Sequence, residues 1–392
     1  MHIDKPIDFL IVGGGISGLW SANLLRKLGY SITLVDEEGG GGKQTLASQG
    51  IIHGGLKYHL NRIIKPNTRM LSNMPKRWRQ SINGLDQIDL RDLQVNSNKY
   101  FVFASNSITN RIITYLSAAS LEQKTTTLHP ENYPTAFKDK SFNGMVAELD
   151  EFVVDVPSLV DILFKNVANN AYQYSLKSED ILLKQNSAEV TLNGQKITAR
   201  YILLCAGTGN KLLLKKLGLD APKMQIRPLQ QVAVYNPSLP KMYAHCLSNI
   251  TTTEPRLTIT THSTKYGNIW YLGGRLATKG ANMSSDQLKK FALAELRACI
   301  PWINWGDAKL ITSLHQRAEP LLKKIPVAGD AFVQKNGPIL TCWPIKLSLA
   351  PRLGDKLLSL VNPPKYVESA KLDLPKLQLK TASWEDIWNI DN

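Results

Sequence analysis

Hydrophobic positions in this chain fall into two patterns. Phe9-Leu10-Ile11-Val12, Ile32-Thr33-Leu34-Val35, Tyr201-Ile202-Leu203-Leu204-Cys205 and Ile339-Leu340-Thr341-Cys342 are nearly continuous apolar runs. Runs of this kind fit strands covered on both faces, as in a parallel sheet flanked by helices. An apolar helical pattern follows Gly18. Another helix is expected from Val156 to about Ala171: Pro157 and Ser158 suit a first turn, and apolar residues recur at 159, 160, 162, 163 and 167. From about 226 to 275 the texture changes. Strand-like runs at Gln231–Tyr235, Arg256–Thr261 and Asn268–Gly273 are broken by Pro and Asn, which predicts an antiparallel sheet. Helices are further expected at Thr68–Gln80, Ile108–Leu121, Ser285–Ile300 and Leu347–Val361. A strand is expected at Tyr100–Ala104, and Asn193-Gly194 marks a hairpin turn. The fold class is therefore α/β. A Rossmann-like parallel-sheet domain (1–85, 147–222 and 319–392) is interrupted by an α+β domain with a mainly antiparallel sheet (86–146 and 223–318).

The turn after the first run carries the strongest chemical signal. Gly13-x-Gly15-x-x-Gly18 lies between a strand and a helix, and Asp36 ends the next strand 18 residues past the last glycine. Gly13 makes the tight turn, Gly15 admits a pyrophosphate to the backbone, and Gly18 lets helix and strand pack closely. Backbone N–H groups at Ile16 and Ser17 would meet the diphosphate at the helix start. Asp36, with Glu37 beside it, is placed to accept hydrogen bonds from a ribose. The pattern predicts a dinucleotide ligand.

Composition changes the picture little. The chain has 392 residues, 43% hydrophobic and 20% charged, enough for two domains. Met1-His2-Ile3-Asp4 does not resemble a signal peptide, and no apolar run reaches the roughly 18 residues of a membrane-spanning helix. Cys205, Cys246, Cys299 and Cys342 are scattered, with no CxxC pair and no metal-ligand spacing, so no metal is expected and a reduced, cytoplasmic setting is. The net charge of +15 has two readings: attraction to an anionic membrane surface, nucleic acid or substrate, or lysines spread over solvated faces. Local clusters at Lys57, Arg62, Lys65 and Arg69, then Lys76, Arg77 and Arg79, leave room for peripheral contact with the inner membrane.

Four separated segments together resemble the FAD-dependent D-amino-acid oxidase superfamily, which includes glycine and sarcosine oxidases, 2-hydroxyglutarate oxidases and glycerol-3-phosphate dehydrogenases. They are the glycine motif with Asp36, where the family more often has Glu; Ile51-Ile52-His53-Gly54-Gly55-Leu56-Lys57-Tyr58, close to the LIHGGLRY of glycerol-3-phosphate dehydrogenases; Leu204-Cys205-Ala206-Gly207, similar to a family strand end; and the tail from Arg317-Ala318-Glu319-Pro320 through Ile325-Pro326-Val327-Ala328-Gly329 to Trp343-Pro344-Ile345-Lys346-Leu347-Ser348-Leu349-Ala350-Pro351. Thr341, Cys342 and Trp343 stand where the family has glycines, and no branch with an assigned substrate fits the pattern well, which points to a bacterial branch of its own.

The resemblance implies FAD as cofactor and assigns roles. Lys346 matches a lysine beside the flavin, where an ammonium stabilises negative charge on the reduced ring. Arg317 matches a substrate-side arginine suited to a carboxylate or phosphate, with an interface ion pair to Glu319 or another acid as the other reading. His53 has three readings: acid or base over the flavin, covalent attachment as in dimethylglycine dehydrogenases, or packing within its loop. Because glycerol-3-phosphate dehydrogenases share its local motif without the covalent link, noncovalent FAD is expected. His262, Tyr271 and His245 lie on the sheet that would cover the flavin face. Ser48, Gln49, Gly50, Ile181, Ala206, Gly207 and Leu347 are expected cofactor contacts, and Asn210 a weaker one. Gly329-Asp330 is similar to a flavin monooxygenase motif, but within this tail it reads as coincidence.

The expected function is hydride removal from a C–N or C–O bond of a small anionic amine or hydroxy acid, with oxygen or a quinone reoxidising the flavin. Alternatives are a flavin monooxygenase, a flavin-dependent RNA-modifying enzyme, which the charge suits, and a non-catalytic flavoprotein. Nucleic acid is not the expected partner.

Overall fold

The computed structural model describes residues 5–54, 71–104, 125–247, 254–321 and 330–389. The expected helix Ile108–Leu121, the start of the one at Thr68–Gln80, the segments Gly55–Tyr58 and Ile325–Gly329, and Lys57, Arg62, Lys65 and Arg69 lie outside the described residues.

The strand Lys5–Val12 occupies the middle of the first sheet, parallel to Gln195–Leu204 on one side and to Ile32–Asp36 on the other. Phe9, Leu10, Ile11, Leu34, Leu203 and Leu204 are all fully buried, which is why these runs do not alternate. The strand Gln195–Leu204 has a divided edge. Its first half turns through Asn193-Gly194, both at positive φ, into antiparallel Ala188–Leu192. Its second half pairs in parallel with Ile339–Trp343, Leu204 lying opposite Thr341. Helix Ile16–Lys27 covers one face.

The helix expected to reach Ala171 stops at Lys165. Asp155 caps its start by accepting the Ser158 N–H at 2.9 Å, as the Pro-Ser first turn predicts. It ends early because Ala171–Gln173 is needed as a parallel edge strand beside Ile32–Asp36, a strand too short to show in the sequence pattern. Within the described residues the other expected elements are present, Tyr100–Ala104 with the expected bounds and the helices with shifted ones. Met74–Ile82 is the described helix in the Thr68–Gln80 region, Ser285–Cys299 matches the later helix, and the final one begins as a 3-10 turn, Leu347–Leu349, before Ala350–Leu358.

The second sheet draws strands from 100–149 and 224–320. Its long pair, Met224–Tyr235 with Lys309–Pro320, is antiparallel throughout. Alternation then sorts its faces. Val232, Val234, Trp270 and Leu272 pack toward Leu288, Ala292 and Leu296 of the helix Ser285–Cys299, while Ala233, Ile269 and Tyr271 join the core of the first domain. That inner face looks onto the strand ends of the parallel sheet. No helix among the described residues is long and apolar enough to cross a membrane.

Candidate active site

A cavity of about 930 Å³ opens at the carboxyl ends of the parallel strands, where open α/β sheets bind ligands. Gly13, Gly15, Ile16 and Ser17 line its middle. The backbone there requires glycine. Gly13 sits at φ 111°, and a Cβ would stand 2.5 Å from the Cys205 carbonyl oxygen. Gly18 lies behind, where a Cβ would fall 1.8 Å from the Gly13 carbonyl oxygen, so its role is close packing of helix on strand. Helix Ile16–Lys27 has Gly15 as its N-cap, and the Ile16 N–H, expected at the diphosphate, donates instead to Thr45 Oγ1 at 2.9 Å, so of the two expected N–H groups that of Ser17 is the one left for an anion. At Gly207, also in the lining, a Cβ would enter open space. These features fit a dinucleotide, with its diphosphate on the first turn of that helix.

Asp36, Glu37, Tyr174 and Ser175 line one end of the cavity. The Asp36 carboxylate accepts N–H groups of Gly14 at 2.7 Å and of Glu38 and Gly39 at 2.9 Å, so it fixes the turn besides facing the ligand. Glu37 accepts the Ser175 hydroxyl at 3.2 Å. Ser48, Ala206, Lys346 and Leu347 also line the cavity. Ile345, beside Lys346, is held at φ 66°, a conformation costly for a β-branched residue and the kind of strain that gathers at functional sites.

Other expected contacts lie elsewhere. Ile181 is buried in an antiparallel strand pair and is not in the lining. Gln49 turns its amide onto the second sheet, donating to the carbonyls of Thr258 and Tyr271 at 3.1 and 2.8 Å. Gly50 sits at φ 71° against the Val154 carbonyl. Asn210 is buried behind the lining, accepting the Ala206 N–H at 2.9 Å. Asp330 is paired with Arg352 and Lys356, away from the cavity. Of the second basic cluster, Arg77 is taken by Asp355 and Arg79 by Asp150.

Of the expected catalytic side chains, Lys346 lines the cavity, whereas His53, His262, Tyr271 and Arg317 do not. Arg317 is half-buried on the long strand pair. The carboxylate suggested as its partner, Glu319, is instead gripped by Arg227 through bonds of 2.7 and 2.6 Å. His262 is buried and stacked on Trp384 at 4.2 Å. Neither of its ring nitrogens has a hydrogen-bond partner among the described residues, and burial pulls its pKa down to about 4. His53 places Nδ1 3.1 Å from Glu151 Oε2. Burial alone would raise the Glu151 carboxyl, but His53, His245 and the Gly54 N–H outweigh it and hold it below the usual range.

The site residue that the sequence reading missed is His315. It lines the cavity, with Nε2 2.7 Å from Ser313 Oγ and 3.4 Å from the Tyr271 hydroxyl. Tyr271 donates to Gln231 Oε1 at 3.1 Å. Burial lowers His315 to about 4 and raises Tyr271 to about 12, so near neutral pH the imidazole is uncharged and the phenol keeps its proton. The available signal was alternation: Ser313, His315 and Arg317 share one face of one strand.

A glycine-turned parallel sheet, a cavity at its strand ends and an antiparallel sheet over one side define a dinucleotide-dependent enzyme of flavoprotein type. The family described as FAD dependent oxidoreductase matches residues 8–309, and the chain belongs to it. A probable FAD-dependent oxidoreductase of Pseudomonas aeruginosa, PA4991, is 35% identical over 384 residues, covering 96% of this chain and 97% of that protein. The crystal structure of PA4991 superposes with a TM-score of 0.82 at 33% identity, covering 99% of this chain and all of that one. More distant likenesses share the fold. The L-alpha-glycerophosphate oxidase of Mycoplasma pneumoniae with FAD bound has a TM-score of 0.67 at 16% identity, over 96% of this chain and 99% of that one. Glycine oxidase of Geobacillus kaustophilus has a TM-score of 0.67 at 12% identity, over 93% and 96%. The protein is an FAD-dependent oxidoreductase, and Gly13, Gly15, Ile16 and Ser17 line its cavity.

Proposed function

We propose that the protein is an oxidase or dehydrogenase that takes a hydride equivalent from a C–N or C–O bond of a small anionic amine or hydroxy acid. The observation that carries this reading is a neutral imidazole, His315, lining the same cavity as the ammonium of Lys346. Noncovalently bound FAD supplies the two-electron acceptor of the reaction. His315 accepts the proton that leaves the donor's N–H or O–H, with Ser313 and Tyr271 fixing its ring. Lys346 offers a preorganised positive charge to the flavin side of the cavity. Arg317, on the same strand face as His315, is assigned to the carboxylate or phosphate of the donor. His262, packed on Trp384, is assigned to the core and not to the chemistry.

The proposed division is 1–85, 147–222 and 319–392 for FAD and 86–146 with 223–318 for the donor, with boundaries that fall inside the strands Met145–Leu149 and Lys309–Pro320. The fold neighbours that act on glycine and on L-alpha-glycerophosphate support this donor range. Oxygen or a quinone is the proposed acceptor, and the cytoplasm the proposed compartment. The test is anaerobic titration of the purified holoenzyme with amino acids, N-methyl amino acids, 2-hydroxy acids and glycerol 3-phosphate, read by loss of flavin absorbance. Bleaching by one class fixes the donor. Bleaching by NADPH alone would overturn the reading in favour of a monooxygenase.

A further inference from the structure

Outside the cavity lining, three side chains of metal-binding chemistry converge from three separate segments. His53 follows the short strand Ile51–Ile52, Glu151 lies in the turn between Met145–Leu149 and Phe152–Val154, and His245 is the middle residue of Ala244–Cys246. One donor atom of each lies within 4.8 Å of the others. The two imidazole planes are nearly parallel, 7° apart, with centroids at 6.1 Å. Glu151 is only 4% exposed. It accepts the Gly54 N–H at 3.0 Å on Oε1, and Oε2 lies 3.1 Å from His53 Nδ1. A buried carboxylate is costly unless a cation or a full set of donors compensates it.

We propose that His53, Glu151 and His245 bind a divalent first-row metal ion of the zinc type. Two imidazole nitrogens and one carboxylate oxygen suit such an ion, whereas magnesium and calcium favour oxygen donors alone. Three protein ligands leave a coordination position for water or a small anion. Outer contacts that would orient ligands are in place. Thr258 Oγ1 lies 3.0 Å from His245 Nδ1, the buried Tyr100 ring packs edge-on against His245 at 4.7 Å, and Gly54 holds the far oxygen of Glu151. The ion would sit on the inner face of the second sheet. Gln49 connects this place to the flavin domain, because its amide reaches the Thr258 carbonyl. This site goes beyond the proposed reaction and does not depend on it.

The test uses FAD-loaded protein treated with a chelator and then dialysed, with ZnCl2 as the probe in isothermal titration calorimetry and metal content read by mass spectrometry. One zinc per chain is expected. Glu151→Gln and His245→Gln should each weaken binding by about 100-fold or more, and Thr258→Ala by about tenfold, the range for loss of an outer contact. His129→Ala, which removes an exposed imidazole outside the cluster, should bind zinc like the parent. Added zinc should raise the melting temperature of the parent and not of the cluster variants. Should Glu151→Gln fail to fold or to retain FAD, His245→Gln and Thr258→Ala decide the question. Absence of stoichiometric binding, or binding undiminished in the cluster variants, overturns the site and leaves a hydrogen-bonded His–Glu pair. Calorimetry requires no donor turnover, so this proposal and the assigned reaction fail separately.

Discussion

Cys205, just past the end of the strand Gln195–Leu204, and Cys342, in the parallel strand Ile339–Trp343, hold their sulfurs 3.3 Å apart in the wall of the cavity. Ser17, from the first turn of the helix Ile16–Lys27, donates its hydroxyl to Cys205 Sγ at 3.3 Å. Both thiols are free and buried, and burial pushes the Cys205 thiol well above its ordinary range. Thiolate, not thiol, is the reactive form. Labelling of these two cysteines should therefore be slow in the holoenzyme and faster once FAD is removed and the wall is exposed. Peptide mapping after timed alkylation measures this. Rapid labelling of either cysteine in the holoenzyme would contradict the buried wall.

Gly18→Ala should cost both stability and cofactor. The added carbon would overlap the Gly13 carbonyl oxygen at 1.8 Å, and that oxygen belongs to the turn itself, so no flexible side chain can yield. A loss of about 2 kcal/mol or more, at the upper end for overpacking, is expected together with reduced FAD content. Denaturant melts and the flavin-to-protein absorbance ratio measure the two effects.

His262 makes folding sensitive to acid. Its folded pKa, about 4, lies below the ordinary 6.5 because burial disfavours the charged ring. Between those values the unfolded chain binds a proton that the folded one refuses, so stability is retained above pH 6.5 and falls as the pH drops toward 4. The full loss from this one group is about 3 kcal/mol. His315 is shifted the same way and adds to the slope. His262→Phe would keep the stack on Trp384 and sacrifices no hydrogen bond to a described residue, so it should flatten part of the fall. Urea melts at pH 7 and pH 5 test this, and an unchanged slope would rule it out.

As the proposed proton acceptor, His315 would set the acid side of the rate profile. With its pKa near 4, kcat/KM for a donor that does not itself titrate in the range should show no acid limb near 6.5. His315→Ala should lower kcat/KM by about 100-fold, the low end for a lost general base. Tyr271→Phe removes one hydrogen bond from the network and should cost about tenfold. Full activity in His315→Ala would move the base elsewhere.

The glycine turn, the apolar strands and the alternating sheet were legible along the chain because each is fixed by neighbours a few residues away. Gly13 and Gly18 follow from a single backbone turn, and the runs at Gln231–Tyr235, Arg256–Thr261 and Asn268–Gly273 read as strands from their own residues. From these the fold class and a dinucleotide ligand could be read, while FAD was implied by the family resemblance. The early end of the helix Val156–Lys165 could not, because it answers to an edge strand of three residues.

The side-chain partnerships belong to the tertiary structure. Four cysteines that look scattered in the sequence become two neighbouring pairs, Cys205 with Cys342 and Cys246 with Cys299. His53 meets Glu151 across 98 positions, and Tyr271 meets His315 across 44. The physical reason is register. Spacing within a strand decides which face a side chain takes, but which residue stands opposite is decided by strand order and by the packing of one sheet on another.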